Sequence, residues 1–524
     1  MLNLWRNPEF VRHVRAELRP ARAVMVAMVV LFLSGLIGLA CWSERRAMLE
    51  AAERGAREFD ERWTPYLDKM RQDFPRQVWL LAYKWLMGLQ AGILTLWSLL
   101  ACAQSVSGER DRKTWDFQRT TSLTPGELLV GKLYGEPILA YFGTLCVLPF
   151  CIWAGVAGGF GLAGVLSVYV TVFAAAAFLG LCGLWLSTLL ETRSRGIGMI
   201  GALALYGFTI GMYAMTEPRF PGLAALSPLI GLRQIFGLNF SGRGDISATL
   251  FGHAIPWLLM SLLLYGLFGA WLTLMLVRNL KRDYSEIRPL SRWQAIGCAA
   301  SLNFMFYALL NTSGATEVKS SEVATFMVGL NVGILFAIGL ATLAPPERLR
   351  VWWRSRAAGS GNLFSEDGLP WPWLALSALV SYLLLVWGLL AWKPSLDFSS
   401  SSLLTAALQM LVALIFITRD ILFLQWCTLT RLRPPVVKGF LFLCLYYLAA
   451  AVTVGISAVS GENSTIAALN LLTPVGVFDP RSGWDHSTSL YTGIALQAGL
   501  IAIILVAITN RLGRPSLVAA VSEG

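Results

Sequence analysis

Long apolar segments recur along the chain, and short polar stretches separate them. A helix that crosses a bilayer needs about 20 mostly apolar residues, and twelve segments approach or exceed this length. The pattern therefore predicts an all-α, polytopic integral membrane protein with about twelve transmembrane helices. The predicted spans are 23–42, 78–106, 133–157, 163–190, 196–215, 254–278, 294–311, 323–344, 371–392, 402–427, 436–459 and 487–509.

Composition supports the same class. Of the 524 residues, 56% are hydrophobic and only 14% are charged, whereas a soluble protein usually has about 25% charged residues. The 20 tryptophans and 48 glycines suit the aromatic belts and close helix contacts of membrane proteins. So few charged groups cannot cover a water-exposed surface, which excludes an ordinary soluble domain.

The net charge of +11 is unevenly distributed. If the N-terminus is cytoplasmic, the basic excess falls on the segments that would face the cytoplasm, and the remaining segments between spans are nearly neutral or acidic. Cytoplasmic loops of membrane proteins carry such an excess of Lys and Arg. We therefore expect both termini in the cytoplasm, and the basic balance does not indicate a nucleic-acid partner.

Residues 1–22 allow two interpretations. Apolar residues recur at helical spacing and arginines supply a polar side, which favours a helix lying in the membrane interface. The alternative is an ordinary basic flank of the first span. A cleaved signal peptide is not indicated, because the basic stretch is too long and no small-residue cleavage site follows. The apolar positions are Leu4, Val11, Val14 and Leu18, and the basic ones are Arg12, Arg15, Arg19 and Arg22.

The sequence offers no clear catalytic or metal-binding group. The eight cysteines lie in or beside apolar segments without a CxxC pair, and the three histidines are scattered. Such cysteines are typical of small buried side chains rather than of disulfides or ligands. A Gly-x-x-x-x-Gly-Lys-(Ser/Thr) phosphate loop is also absent from the sequence. We therefore expect a non-catalytic chain that binds no metal and no cofactor.

Two loops indicate an internal repeat. The charged stretch that begins at Glu109 recurs at Glu347, and the turn that begins at Thr192 recurs at Thr430, each 238 positions later. With six predicted spans on each side, the match predicts two parallel six-helix pseudo-repeats, residues 1–285 and 286–524. A parallel repeat implies a pseudo-two-fold axis along the membrane normal.

The halves differ in the predicted external segment 43–77 of the first half. It contains eight acidic and eight basic residues with scattered apolar ones, and we expect short helices on the outer surface. The segment is either a binding element or a solvated structural hairpin.

The predicted cytoplasmic loop 107–132 has the pattern of a docking element. Charges cluster at its start, and Trp115 and Phe117 follow, which would need a lipid or protein cover if they were exposed. Thr124 and Glu127 then form a capping-box pattern for the helix that leads into the next span.

This loop resembles the coupling helix of ABC-2 type transporter permeases. The shared pattern is Glu-Arg, then Thr, then a Leu-Thr-Pro-x-Glu stretch ending in Gly-Lys; the entry segment with Asn7-Pro8 and the Leu226-Ser227-Pro228 stretch also resemble the family. The resemblance implies contact with an ATPase subunit. The implied docking residues are Glu109, Arg110, Arg112, Thr114, Trp115, Phe117, Glu127 and Lys132, and, by the repeat, Glu347, Arg348, Arg350 and Trp353.

The resemblance also implies the assembly. A separate ABC ATPase on the cytoplasmic face would bind ATP and Mg, and the fused pair of permease units would lie in the bacterial inner membrane. Further membrane subunits or a homodimer are compatible with it. The second loop, 345–370, departs from the family because it lacks the Pro-x-Glu…Gly-Lys part, and its stretch from Ala357 to Asn362 indicates a loose loop.

Two neighbouring charges, Arg419 and Asp420, lie within the tenth predicted span. Charges at this depth are costly and face a cavity or a partner. A functional interpretation is that they line a substrate path or bind a proton. The structural alternatives are that they form a polar clamp between helices, or that the tenth span begins after residue 402. An ion-coupled secondary carrier, or a membrane enzyme acting on lipid-linked substrates, therefore stays an alternative to the ATP-driven permease.

Overall fold

The computed structural model is almost entirely helical over the residues that it describes. These residues are 4–59, 64–189, 195–215, 221–228, 248–251, 253–282, 288, 290–309, 320–360, 362–392, 400–430, 435–459, 471–473 and 487–513. Contacts divide the chain into two compact units. Unit 1 is Met1–Ile287 with Leu309–Thr312, and unit 2 is Arg288–Ala308 with Ser313–Gly524. The boundary lies close to the predicted division at residue 285, while a repeat relation between the units stays a prediction.

Unit 1 contains nine described α-helices and a short antiparallel hairpin. Two 3₁₀ turns, Leu4–Arg6 and Pro221–Leu226, accompany them. The helices are α1 (Pro8–Glu17), α2 (Pro20–Phe59), α3 (Thr64–Asp111), α4 (Trp115–Thr120), α5 (Pro125–Gly135), α6 (Ile138–Ala157), α7 (Leu162–Leu189), α8 (Arg195–Met215) and α9 (Trp257–Asn279). In the hairpin, β1 (Ala248–Leu250) pairs with β2 (His253–Ile255).

Unit 2 is built from seven described helices. They are α10 (Arg292–Leu309), α11 (Ser320–Ala341), α12 (Pro346–Ala357), α13 (Trp371–Trp392), α14 (Ser400–Thr428), α15 (Pro435–Val459) and α16 (Ser487–Leu512). Helix α14 packs against α11, α13, α15 and α16, so it is the central helix of the unit.

Within the described residues, nine helices are long and apolar enough to cross a membrane. They are Pro20–Arg54, Leu67–Asp111, Ile138–Ala157, Leu162–Leu189, Trp257–Asn279, Trp371–Gly388, Ala406–Thr428, Lys438–Ser457 and Tyr491–Leu512. The chain is thus an all-α, multi-pass membrane protein. The fifth, seventh and eighth predicted spans are helical, but their helices are not among these nine. In the fifth, α8 has only a shorter apolar stretch, Met199–Gly211. In the eighth, Met327–Ala341 meets α12 at an 86° bend. Twelve spans stay a prediction.

The expectation of short helices over residues 43–77 is wrong. Helices α2 and α3 instead continue far beyond their apolar stretches as one long extension each. Ion pairs between the interspersed charges support these extensions: Arg46 bonds to Glu50 one turn along α2 (3.0 Å), and Arg71 of α3 bonds to Glu53 of α2 (2.7 Å). Spacings of four residues place opposite charges on one helix face, which favours a continuous helix.

The core of unit 1 lies between α3 and α7. Its buried side chains include Tyr83, Leu94 and Val172. Gly183 of α7 lies directly against the α3 backbone at Leu99, where a Cβ atom would overlap the carbonyl oxygen. This close packing fixes α3, and therefore the loop that follows it, relative to the rest of the unit.

Candidate functional site

The loop between α3 and α5, which we call the docking loop, is a compact structure. Helix α3 ends at Asp111, and the chain turns at Lys113, a non-glycine residue with φ of 58°. The predicted capping box is confirmed: the Thr124 hydroxyl accepts from the Glu127 amide (3.2 Å), and the Thr124 amide donates to Glu127 Oε2 (2.8 Å). These bonds from Thr124 hold the pKa of Glu127 below its usual value. Helix α5 therefore begins at a fixed point.

The two aromatic residues of the docking loop have opposite environments. Phe117 is 76% exposed, whereas Trp115 is only 4% exposed and packs with Leu128, Leu129 and Leu276. The family resemblance implies Trp115 as a docking residue, but its side chain lies in the interior of unit 1. Helix α4 has only six residues, so it presents one narrow face inward, with Trp115, and one outward, with Phe117.

Two residues expected at the docking surface form a buried ion pair instead. Lys132 is fully buried, and its Nζ atom lies 2.6 Å from Glu109 Oε2 and 3.3 Å from Ser105 Oγ. Gln118 donates to Glu109 Oε1 (2.6 Å) and so ties α4 to the same carboxylate. Because Lys132 has no exposed surface, it cannot contact a partner protein directly. Its charge is balanced inside the protein, as a buried cation requires.

The N-terminal helix α1 completes this ion-pair group, which we call the charge cluster. Glu9, 5% exposed, lies 3.6 Å from Lys132 Nζ and 2.6 Å from Arg12, and Arg12 also donates to Glu109 (3.1 Å). Burial raises the pKa of Glu9, but the His13 hydrogen bond and the charges of Lys132 and Arg12 outweigh it and lower the pKa to about 2. Glu9 therefore stays ionised at neutral pH.

Asn7 and Gly131 set the position of α1 on α5. The Asn7 side chain caps α1 by accepting from the Glu9 amide (3.0 Å), and it donates to the Glu127 carbonyl oxygen (2.6 Å). A Cβ atom at Gly131 would lie 2.7 Å from Glu9 Cβ, so only glycine permits this approach. Asn7-Pro8 stands out in the sequence, whereas Glu9 does not, and the only local signal for Glu9 is its spacing to Arg12 and His13.

The remaining predicted docking residues divide between support and surface. Arg110 is half-buried and donates to the Thr188 carbonyl oxygen (3.0 Å), so it joins the loop to α7. Arg112 and Thr114 are exposed beside Asp116 and Phe117. The outward surface of the docking loop is therefore small, mixed in charge and centred on one aromatic ring.

In unit 2, residues Glu347, Arg348, Arg350 and Trp353 all lie on α12. Glu347 and Arg348 are exposed, and Arg350 and Trp353 are half-buried. The buried tryptophan is Trp352, 5% exposed, and its Nε1 donates to the Asn362 carbonyl oxygen (3.0 Å). The expectation of a loose loop up to Asn362 is wrong to this extent, because this bond holds the end of the stretch.

Two arginines hold the turn that follows α12. Arg292, 2% exposed, donates to the carbonyl oxygens of Ser365 (2.8 Å), Leu369 (3.1 Å) and Gly368, and Arg288 bonds to Asp367 (2.7 Å). Burial, with the nearby charge of Arg288, lowers the pKa of Arg292 to about 10. Arg292 therefore remains a cation at neutral pH, and its fork of donors organises backbone carbonyls.

Arg419 and Asp420 lie within α14, inside its apolar stretch Ala406–Thr428. Both are almost fully buried, and Arg419 donates twice to Asp420 (2.8 and 2.6 Å). Arg419 also donates to Gln497 of α16 (2.6 Å) and to Tyr446 and Tyr447 of α15 (3.0 and 3.1 Å). Tyr447 donates to the second oxygen of Asp420 (2.6 Å). The geometry is that of a polar clamp joining three helices.

No three His, Cys, Asp or Glu side chains lie together in a geometry suited to a metal ion, as far as the described residues extend. The chain was also compared with known proteins. It matches no protein-family model, no curated protein and no solved structure.

Proposed function

We propose that the chain is the membrane-spanning permease of an ATP-driven transporter of ABC-2 type, with two six-span units fused in one chain. A separate ATPase subunit would bind ATP and Mg and dock on the docking loop of unit 1. Movement of the docked ATPase would tilt the helices around a path for the substrate. The setting would be a bacterial inner membrane with both termini in the cytoplasm.

The observation that carries the proposal is the rigid mounting of an exposed aromatic helix on spanning helices. Phe117 is exposed, while the face of α4 behind it is fixed by buried Trp115 and by Gln118 on the charge cluster. Buried aromatic anchors dominate the energetics of protein interfaces, and Phe117 offers such an anchor for a partner. On one side of the loop lies α3, and on the other α5 leads into α6, so force on α4 would reach two membrane helices.

The clamp in α14 weakens the alternative of an ion-coupled carrier. A carrier needs a membrane-embedded group that can gain and release its ion. Both oxygens of Asp420 are already hydrogen-bonded, one by Arg419 and the other by Tyr447. A carboxylate held in this way is suited to a structural role rather than to repeated proton exchange.

The direct test is co-purification with candidate ATPases. The full chain is expressed with each ABC ATPase encoded near its gene, and the complex is isolated through a tag on the chain. We expect one ATPase to co-elute with the wild type, and Phe117→Ala to reduce its yield at least about ten-fold, because central aromatic anchors contribute about 2 kcal/mol or more to binding.

The matched control is Met48→Ala, which trims an exposed apolar side chain on the long extension of α2. This variant should retain the ATPase fully, because the predicted topology places Met48 on the opposite side of the membrane. The proposal fails if no ATPase co-elutes with the wild type, or if Phe117→Ala and Met48→Ala behave alike.

A further inference from the structure

The N-terminal helix α1 has three sides with different surroundings. One side packs on α5 through Glu9 and His13. A second side carries half-exposed apolar residues, and a third carries exposed arginines. The half-exposed apolar residues are Val11, Val14 and Leu18, and the exposed arginines of the segment are Arg6, Arg12, Arg15, Arg19 and Arg22. The first side is explained by its contacts with α5.

The arginines divide into paired and unpaired groups. Arg12 belongs to the charge cluster, and Arg22 lies 3.3 Å from Glu17. Within the part of the chain that the structure describes, Arg6, Arg15 and Arg19 form no salt bridge. Three unpaired cations on one short segment create a local positive potential that attracts anions.

The position of α1 relative to the membrane follows from its connection to the first span. Only Leu18 and Arg19 separate the end of α1 at Glu17 from the start of α2 at Pro20. Two residues reach at most about 7 Å when extended, and the apolar stretch of α2 begins at Ala23. Arg19, which lies within this connection, and Arg15, one turn before it, are therefore close to the level at which the chain enters the hydrocarbon, and Arg6 precedes the other end of α1.

Trp5 supplies an interfacial anchor next to these arginines. It is 73% exposed, and its ring rests edge-on against Phe10 at 5.8 Å. A tryptophan with an otherwise open ring is costly in water but favourable at the headgroup level of a bilayer, where Trp is enriched. Trp5, the apolar side of α1 and the arginines are thus all suited to the headgroup region of a bilayer.

We propose that the segment from Trp5 to Arg19, which contains α1, is a binding site for anionic phospholipid headgroups, formed by Arg6, Arg15 and Arg19 with Trp5 inserted beside them. The site does not depend on an ATPase, so it stands or falls separately from the proposed transport function. Anionic lipid would press α1 against the bilayer while Glu9 and Arg12 on the other sides keep it joined to the docking loop.

The test measures hydrogen–deuterium exchange of residues 4–17 in the full chain. The chain is placed in nanodiscs of phosphatidylcholine alone or with phosphatidylglycerol. Each basic residue near an anionic membrane surface strengthens binding about five-fold, so we expect phosphatidylglycerol to slow exchange of the segment at least about five-fold. The triple variant Arg6→Gln, Arg15→Gln, Arg19→Gln should lose this slowing.

Two further variants make the result specific. The triple variant Arg46→Gln, Arg54→Gln, Arg71→Gln removes the same charge from the long extensions of α2 and α3, and it should keep the slowing at residues 4–17. Replacing Arg6, Arg15 and Arg19 by lysine preserves charge and should keep most of it. Thermal unfolding in detergent checks that each variant is folded. If the glutamine variant does not fold, the lysine variant still tests the proposal.

Three outcomes would overturn the proposal. The first is equal exchange of residues 4–17 in both nanodiscs. The second is slowing that survives the Arg6, Arg15, Arg19 glutamine variant or disappears in the lysine variant. The third is slowing in phosphatidylcholine nanodiscs on addition of inorganic phosphate, which would make the site one for free anions rather than for lipid.

Discussion

The two units hold their predicted coupling loops with different chemistry. In unit 1, side chains pair with side chains: Lys132 lies between Glu109 and Glu9, which are distant in sequence. In unit 2, Arg292 binds backbone carbonyl oxygens of the turn after α12. An ion pair between two side chains is lost when either residue is replaced. An arginine that donates to backbone carbonyl oxygens depends on the side chain of one residue only. The same charged spacing in sequence has thus led to two different anchors.

Inside the apolar layer the contrast is reversed. In unit 1 the buried contact between the α3 and α7 side chains is neutral, with Tyr169 donating to Gln90 (3.0 Å). Unit 2 also has a neutral contact, with Asn331 donating to Asn303 (2.8 Å), and it adds the charged Arg419–Asp420 clamp. Each unit therefore keeps a buried ion pair at a different level, near the docking loop in unit 1 and within the helix bundle in unit 2. Replacing one member of these ion pairs should therefore destabilise each unit the most.

The largest effect is expected for Asp420→Asn, which leaves Arg419 without its counter-charge. Removing one partner of a buried pair costs about 3–5 kcal/mol, and unfolding of the purified chain in detergent should report it. The double variant Arg419→Met, Asp420→Leu removes both charges and should unfold near the wild-type midpoint. A wild-type midpoint for Asp420→Asn would contradict the clamp.

Lys132→Met is the corresponding change in unit 1. It leaves Glu9 and Glu109 facing each other without a cation, and we expect a loss of about 3 kcal/mol together with faster proteolysis within 107–124. The control Lys113→Met removes an exposed lysine from the same loop and should have little effect. Equal behaviour of the two variants would mean that the charge cluster does not hold the loop.

The charge cluster should also weaken in acid, because the pKa of Glu9 is lowered to about 2. A lowered carboxylate pKa contributes stability above the unfolded value, about 4.5, and loses it as pH falls towards 2; the shift corresponds to about 3 kcal/mol. Glu9→Gln should therefore be destabilising at pH 6 and nearly neutral at pH 2. For comparison, Glu50→Gln on the exposed extension should change little at either pH, and a Glu9 effect that does not vary with pH would refute this assignment.

In unit 2, Arg292→Lys should cost about 2 kcal/mol, since a lysine cannot donate to three carbonyl oxygens at once. Limited proteolysis at residues 355–370, followed by mass spectrometry, measures the loosened turn. Arg354→Lys on the exposed side of α12 is the matched change. Unaltered cleavage in Arg292→Lys would show that the turn is held by other contacts.

The smallest effect is expected for Gly131→Ala, at about 1 kcal/mol, the lower end of the cost of adding a methyl group to a packed contact. The added methyl group would meet Glu9 Cβ at 2.7 Å and push α1 away from α5. Hydrogen exchange of residues 8–17 should become faster. Gly126→Ala, where nothing lies within 4 Å, should leave that exchange unaltered; if both variants match the wild type, the close approach of α1 is not tight.

Local sequence signals predicted what depends on near neighbours. The apolar segments gave the helices, and Thr124 and Glu127 gave the capping box, because each rests on residues a few positions apart. The charge cluster depends on Glu9 meeting Lys132 across more than a hundred positions, which periodicity cannot reveal. Trp352 and Trp353 are adjacent, so a repeat match could not decide which side of α12 faces inward. The mixed charge over 43–77 suggests short surface helices, and it does not reveal that α2 and α3 continue as long helices there.

Helix α3 has a mechanical consequence. Its 48 residues make a rod about 70 Å long at 1.5 Å per residue, more than twice the thickness of the hydrocarbon core, about 30 Å. If a helix of this length tilts by about 5° around its middle, each end moves by about 3 Å. Whatever grips the charged tip near Arg71 therefore also moves Asp111 at the other end. Pro75 interrupts the hydrogen bonding of the rod and is the point at which the rod would yield first.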